Sequence, residues 1–349
     1  MEYRQLGHSG LRVSTMTLGT MTFGGRGDFA KVGALGVQDA RRLVDVALQA
    51  GVNLVDTADV YSDGASEEIT GEVLRGRRDD VLIATKARFP MGVGVNDAGN
   101  SRFHIISAAE ASLRRLQTDR IDLFQIHEWD GVTPVEETAE ALDTLVRSGK
   151  VRYVGVSNFS GWQTMKSLAI ADSRGYQRYI STQIHYTLQC RDAESELVPL
   201  SLDQGLGIMV WSPLAGGLLT GKYRRGEPMP EGSRHLTDWN EPPVYDEGML
   251  YDIIETLVAI GDQRGIPTAQ VGLAWLLGRP GVSTLVVGAR TEDQLRASLG
   301  AADVALTDDE RARLDAVSAV PLSYPYWHQA ATAGDRLSTA DLALLGPHL

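Results

Sequence analysis

Eight short apolar runs recur along the chain, each followed by a longer stretch with helical periodicity: Met16–Leu18, Val52–Val55, Val81–Thr85, Ile121–Ile126, Val151–Val156, Tyr179–Gln183, Gly207–Trp211 and Ser283–Val287. Runs this rich in β-branched and aliphatic residues read as strands buried on both faces. Strands separated by helices bury both faces in a parallel sheet. Eight such units are the number that closes a (β/α)8 TIM barrel in the α/β class, with an open doubly wound sheet as the other arrangement the pattern allows.

The helical stretches carry their own punctuation. Thr133-Pro134-Val135-Glu136 reads as a capping Thr, a Pro at the first helical position and the Glu of a capping box, with Gly149 after the last turn. Thr291 to Gln294 and Thr307 to Glu310 repeat the box, Ser66 is placed to cap Glu67–Leu74, and Gly51 to end the helix over Asp39–Ala50. Before the first unit, Tyr3–Leu6 and Leu11–Ser14 flank the turn-rich Gly7-His8-Ser9-Gly10, which predicts a β-hairpin plugging the barrel floor. The segment Tyr223–Asp246, rich in Pro, Gly and charge, reads as a long loop after strand 7 of the barrel, and loops of that length in compact domains usually serve function.

The 349 residues suit two domains at roughly 150 residues each, yet no linker or low-complexity segment divides them. The expectation is therefore one barrel domain over 1–349, with the hairpin at 1–14, the barrel at 15–320 and a C-terminal tail at 321–349. A formal net charge of −12 gives no electrostatic footprint for nucleic acid or anionic membrane. No apolar run approaches the roughly 18–20 residues of a spanning helix, and the N-terminus does not read as a secretory signal. The single cysteine, Cys190, permits no internal disulfide and reads as a small packing residue. These features predict a soluble cytoplasmic protein.

In such barrels the active site is built where the strands end. Here the second run ends in Asp56-Thr57, the third in Thr85-Lys86 and the fourth in Ile126-His127-Glu128, while Tyr61 follows Asp56. An acid, a cation, an imidazole and a phenol thus come from three consecutive strands at one rim. Lys86 is expected to lower the Tyr61 pKa from near 10, Asp56 to hold the lysine, and His127 to hydrogen-bond a carbonyl oxygen. Such a set protonates an oxygen as charge develops on it.

These residues resemble the aldo-keto reductase superfamily over nearly the whole chain. Gly51–Ala58 with Tyr61, Ser66-Glu67-Glu68 and Gly71 is similar to its first signature, and Thr85-Lys86 and Ile121–His127 to later ones. The resemblance implies a catalytic tetrad of Asp56, Tyr61, Lys86 and His127, and hydride transfer from a reduced nicotinamide to an aldehyde or ketone. It implies that Ser157, Asn158 and Gln183 hold the carboxamide and that Trp211 faces the nicotinamide ring. Gly19, Thr20, Met21 and Asp56 border the same cofactor. Ser212, Pro213, Leu214, Gly216, Leu218 and Lys222 are similar to a pyrophosphate-holding loop, and Gly288, Arg290, Gln294 and Ser298 to the adenosine end. Arg290 beside a 2′-phosphate is the physical reason to expect NADPH/NADP+ rather than NADH. Ser298 stands where the family commonly has Asn, so its contact to adenine is shorter-reaching. The long loop and the aromatic tail, with Tyr324, Tyr326, Trp327 and His328, match regions that line the substrate pocket or the interface of a homo-oligomer, and also read as plain packing.

Other readings fare less well. Gly216–Lys222 fits the start of a P-loop, but Tyr223 stands where Mg²⁺ needs Ser or Thr. Gly92-Val93-Gly94 lacks the third Gly of a dinucleotide fingerprint, no Tyr has a Lys four positions on, and His127-Glu128 opens no H-E-x-x-H, so no metal is expected. His185 reads as structural. Two alternatives stay open: a Schiff-base aldolase using Lys86, and a cofactor-sensing subunit similar to the potassium-channel beta subunits.

Overall fold

The eight apolar runs become eight parallel strands that close on one another. In the computed structural model, which describes every residue except 238 and 240, the closed order is β10-β3-β4-β5-β6-β7-β8-β9. These are β3 (Met16–Gly19), β4 (Leu54–Asp56), β5 (Leu82–Ala87), β6 (Ile121–Ile126), β7 (Val151–Ser157), β8 (Ser181–His185), β9 (Gly207–Trp211) and β10 (Val282–Val287). Each overlaps a run expected from the sequence, and the fold is a (β/α)8 barrel. The antiparallel hairpin β1 (Tyr3–Gln5) and β2 (Arg12–Ser14) precedes it.

The helices α1 (Val37–Gln49), α2 (Ala65–Val73), α3 (Arg102–Arg115), α4 (Val135–Arg147), α5 (Gly161–Arg174) and α6 (Leu197–Gln204) follow the strands in turn. Then come α7 (Glu247–Arg264), α8 (Thr268–Leu277), α9 (Glu292–Leu299), α10 (Asp308–Val317), α11 (Tyr326–Thr332) and α12 (Thr339–Leu345). Apolar spacing decides which face turns inward: α1 buries Ala40, Leu43, Val44, Val46 and Ala47 and leaves its other side to charge. Among the described residues no helix is long and apolar enough to cross a membrane.

The barrel interior is layered because successive side chains on a strand alternate between its two faces. At the N-terminal end of the barrel, Leu54, Ala84, Leu123 and Met209 form one apolar cluster with Leu6 and Val13 of the hairpin, joined from the mouth side by Val286. The hairpin therefore closes the floor as its turn residues predict. Its turn presses close: Gly7 has φ +60°, and a Cβ there would stand 2.4 Å from the carbonyl oxygens of Gly205 and Ile180.

Three helix starts depart from expectation. Ser66 caps nothing; it lies inside α2, where its hydroxyl bonds the Thr20 carbonyl, 2.8 Å, because Gly64 at φ 88° makes the turn into the helix one step earlier. Thr133 does not cap α4, since Asp130 captures its hydroxyl at 2.7 Å, and the helix opens on Val135 after Pro134. Thr291 does accept from the Gln294 N–H, but the Gln294 side chain accepts from the Arg290 N–H and leaves the box half made. The box at Thr307 and Glu310 is complete, and Gly51 and Gly149 take the positive φ expected after α1 and α4.

Candidate active site

Two residues above the apolar floor, the same strands turn polar. Asp56 ends β4, Lys86 lies near the end of β5 and Gln125 near the end of β6, with Lys86 and Gln125 directly paired in register. Lys86 is 0% exposed and Asp56 2%, so the ammonium and carboxylate meet without water between them. Lys86 Nζ donates to Asp56 Oδ2 at 2.6 Å and to the Thr57 carbonyl at 2.9 Å, and stands 3.5 Å from the Tyr61 hydroxyl. The other carboxylate oxygen accepts from Gln183 Nε2 at 2.8 Å and from Gln125 Nε2 at 3.3 Å. Each buried charge thus has charge-assisted partners, which is what makes its burial tolerable.

Tyr61 and His127 complete the cluster. The Tyr61 ring meets the His127 ring edge-on at 5.9 Å and lies 5.4 Å from Phe29, which in turn touches Trp239 at 6.1 Å. Phe89 packs on the other side of His127 at 4.9 Å. Phe29, Phe89 and Trp239 form an apolar wall around the phenol and imidazole that no motif announced; an isolated aromatic in a loop carries no sequence signal of what it faces.

The electrostatics correct one expectation. Burial pushes the Tyr61 phenol above its ordinary value; the Lys86 ammonium pulls it down, but the Asp56 carboxylate pushes it up again, and the net direction is upward. Much of the lysine's field is spent on the aspartate beside it. For Lys86, burial lowers the pKa, yet Asp56 and then Tyr61 outweigh it, so the amine is held as ammonium. Burial, then Lys86 and Arg88, drive His127 well below the usual histidine range, which leaves a neutral imidazole. Its Nδ1 is buried without a partner.

Directly behind this cluster lies a second acid. Asp59 is fully buried with neither carboxylate oxygen hydrogen-bonded, and burial followed by the nearby Glu67 raises its pKa well above the usual range. Glu67 itself is spoken for by Arg115 Nε at 2.6 Å and Thr85 Oγ1 at 2.5 Å. Gln125 and Asp59 were both missed from the sequence. A Gln within an otherwise apolar run was the available signal for the first.

The residues expected at a cofactor gather along the opposite side of the rim. Asn158, with φ 56°, donates from Nδ2 to the His127 carbonyl at 3.1 Å and accepts from Trp211 Nε1 at 3.0 Å. Ser157 Oγ bonds the Gln183 carbonyl at 3.0 Å, and Gln183 reaches Asp56. His185, expected to be structural, lies 4.6 Å from the Trp211 ring, with both ring nitrogens buried and unpartnered. After β9, Ser212, Ala215, Gly216 and Gly217 have φ 49°, 49°, 66° and 99°, and the loop closes on itself: the N–H groups of Ala215, Gly216 and Gly217 donate to the Ser212 carbonyl at 2.8 Å, the Ser212 hydroxyl at 2.9 Å and the Leu214 carbonyl at 2.9 Å. Pro213 and Leu218 are buried and Leu214 packs toward α8, so this loop is anchored by side chains. Lys222 lies over the Tyr223 ring at 5.1 Å.

Beyond β10, Gly288, Arg290 and Gln294 are exposed, and Ser298 is half-buried one turn after Gln294. The Arg290 guanidinium is bonded to three carbonyls: Val32 at 2.8 Å, Lys31 at 3.1 Å and Gly232 at 3.3 Å. It ties the long loop to the segment after β3. On the Asp56 side of the same rim, Gly19 ends β3 beside Asp56, Thr20 bonds the Asp56 carbonyl and Ser66, and Met21 is half-buried. The chemistry of this set suits a dinucleotide: hydroxyl and amide groups in Ser157, Asn158 and Gln183, an aromatic plane in Trp211, and at Gly217 an open turn where only Lys222 comes within 4 Å of where a Cβ would stand.

The rings of the aromatic tail keep to themselves rather than reaching the Tyr61 wall, and Cys190 departs from expectation. The tail rings Tyr324, Trp327 and His328 stack on one another, at 6.2 and 5.7 Å, and α12 packs on α6, whereas the long loop brings Trp239 to Phe29. Cys190 is half-exposed rather than packed in the core. Its thiol lies 3.0 Å from Asp192 Oδ2, and burial, with that carboxylate, pushes it up to about 12, so it is no nucleophile at neutral pH. Among the described residues no cluster of His, Cys, Asp or Glu is set to hold a metal.

Comparison with known sequences agrees with this geometry. The model of the Aldo/keto reductase family matches residues 15–319. A "Probable voltage-gated potassium channel subunit beta" of Arabidopsis thaliana is 36% identical over 312 residues, 87% of this chain and 92% of that protein. An "Uncharacterized oxidoreductase YrpG" of Bacillus subtilis (strain 168) is 38% identical over 317 residues, 88% and 92% of the two chains. The "Versiconal hemiacetal acetate reductase" of Aspergillus parasiticus is 36% identical over 336 residues, 89% and 95%.

Proposed function

Since the chain belongs to the aldo/keto reductase family and is on that ground an oxidoreductase, we propose that it reduces the carbonyl of an aldehyde or ketone to an alcohol with NADPH. The observation that carries this reading is the dry Asp56–Lys86 pair with its ammonium 3.5 Å from the Tyr61 hydroxyl and neutral His127 against the same ring. When bound, the reduced nicotinamide supplies the hydride. Ser157, Asn158 and Gln183 would hold its carboxamide, Trp211 its ring, the Ser212–Leu218 loop with Lys222 its pyrophosphate, and Gly288, Arg290, Gln294 and Ser298 its adenosine end.

The residues divide the proton's work. Tyr61 keeps its proton at neutral pH because its pKa is raised, as a general acid must until negative charge appears on the substrate oxygen. The phenol then donates, and Lys86 stabilises the phenolate left behind. Asp56 with Gln125 and Gln183 fixes the ammonium in place. His127, neutral, hydrogen-bonds and orients the carbonyl oxygen, and the wall of Phe29, Phe89 and Trp239 strengthens each of these interactions by excluding water.

The test is substitution of Tyr61→Phe, measured as NADPH oxidation across aldehydes and ketones alongside NADPH binding by fluorescence. The expected result is a loss of turnover of about 10²–10⁴-fold, the usual contribution of a positioned acid, with binding retained. Full turnover in the variant overturns the assignment.

The aldolase reading loses its nucleophile here: an amine held as ammonium by Asp56 does not attack a carbonyl. The printed name of the Arabidopsis relative supports a second reading, a cofactor-binding regulatory subunit. Tight NADPH binding without turnover of any carbonyl favours it.

A further inference from the structure

Arg88 enters the chemistry above only through its field, which with burial and Lys86 helps keep His127 neutral, and no contact in that chemistry uses its guanidinium. It follows β5 immediately and stands two positions beyond Lys86, so strand alternation puts it on the same inward side, one layer higher. The pairing of β5 with β6 continues to this level: Lys86 faces Gln125, Ala87 faces Ile126, and the His127 N–H donates to the Ala87 carbonyl at 3.1 Å. Arg88 is therefore the neighbour of His127 at the barrel mouth. Its guanidinium lies 5.4 Å over the Phe89 ring, and that ring packs on His127 at 4.9 Å.

The charge has no counter-ion. Among the described residues no carboxylate is within ion-pair distance of Arg88, and its side chain makes no hydrogen bond; Nε is shut off from solvent with no acceptor. Glu128, whose carboxyl feels the Arg88 charge, is turned to the Trp129 N–H at 3.0 Å instead. A half-buried guanidinium with an orphaned donor costs stability unless something completes it. The cofactor phosphates are poorly placed for that. Their expected loops follow β9 and β10, and β5 stands four strands from β9 in an eight-stranded circle, on the far side of the mouth.

We infer that Arg88 recognises the substrate, and that the preferred carbonyl compounds carry a carboxylate which pairs with this guanidinium while the carbonyl oxygen sits between Tyr61 and His127. The inference rests on the reductase reading and narrows its substrate class. The carboxylate is unchanged by the reaction; it positions the carbonyl.

The experiment compares ω-oxo carboxylates of two to five carbons with the unsubstituted aldehydes of equal length, on the wild type, Arg88→Gln and Arg88→Lys, with thermal melts to show that the variants fold. The expected outcome is that for at least one length the acid exceeds its neutral partner in kcat/KM by about tenfold or more, the worth of one charge-assisted hydrogen-bonded pair. Arg88→Gln removes that excess, chiefly through KM, and Arg88→Lys restores part of it. Equal kcat/KM for both classes at every length, or a preference that survives Arg88→Gln, overturns the inference. If neither class is reduced, the reductase reading falls, and calorimetric titration with 4-hydroxybutanoate in the presence of NADP+ decides the Arg88 site by itself. Binding at least about tenfold weaker in Arg88→Gln upholds it, and absent or equal binding refutes it.

Discussion

Floor and mouth of this barrel share the same strands two residues apart, and their chemistry is opposite. Leu54, Ala84, Leu123 and Met209 face inward at the floor against Leu6 and Val13; Asp56, Lys86, Gln125 and Trp211 follow them on the same strands at the mouth. The floor is sealed by a hairpin and is mainly apolar, with its buried hydroxyls uncharged, as in Ser283, which bonds the Gln5 carbonyl of the hairpin. The mouth buries two opposite charges, a neutral imidazole and an unpartnered acid. Apolar burial at the floor stabilises the fold and desolvation of charge at the mouth opposes it, so stability and chemistry are separated along one axis of one structure.

That division is sharpest at Lys86. Lys86→Met should reduce carbonyl turnover by about 10²–10⁴-fold. It should also destabilise the protein by about 3–5 kcal/mol, because Asp56 is left charged and dry. Steady-state kinetics with urea unfolding checks both, and an unchanged unfolding midpoint would show that the pair does not carry the energetic burden described.

Leu123→Ala tests the other end. Removing a fully buried side chain from the floor cluster should cost about 2–5 kcal/mol, depending on how far the site collapses, with kcat of the folded protein within about twofold of wild type. A large fall in kcat with little loss of stability would break the proposed separation of the two ends.

The smallest effect at any one pH belongs to Asp59. Its folded pKa lies above its unfolded value near 3.9, so between the two the native state holds a proton that the unfolded chain has lost. Stability then falls as pH rises through that window, by up to about 1.4 kcal/mol per unit from this group, and the contribution is absent below it. Denaturation midpoints across this range should show a shallower decline in Asp59→Asn than in the wild type. Parallel profiles would mean that the carboxyl is hydrated or paired.

The candidate cluster was legible because its members lie where strands end, and a buried strand cannot place Asp56, Lys86 or His127 inside an apolar interior without a reason. The eight strands were legible for the same kind of reason: local composition and period. Gln125 was hidden because its inward face follows from register with Lys86, which no local pattern states. Arg88 and Asp59 belong to no motif, and nothing local marks a charge that burial will leave without a bonded partner. Ser66 and Thr133 misled because a hydroxyl near a helix start has several acceptors within reach, and the nearest in space won.

By itself the sequence determined the alternation of strands and helices, the hairpin, the long loop and the four residues of the cluster, since these depend on spacing and residue type along the chain. Tertiary structure alone decided which charges are paired, which are left without partners, and that the long loop rather than the aromatic tail reaches Phe29 beside Tyr61. The physical reason is that desolvation and Coulomb energy depend on distances between residues far apart in sequence, as between Asp56 and Gln183, and only closure of the barrel sets those distances.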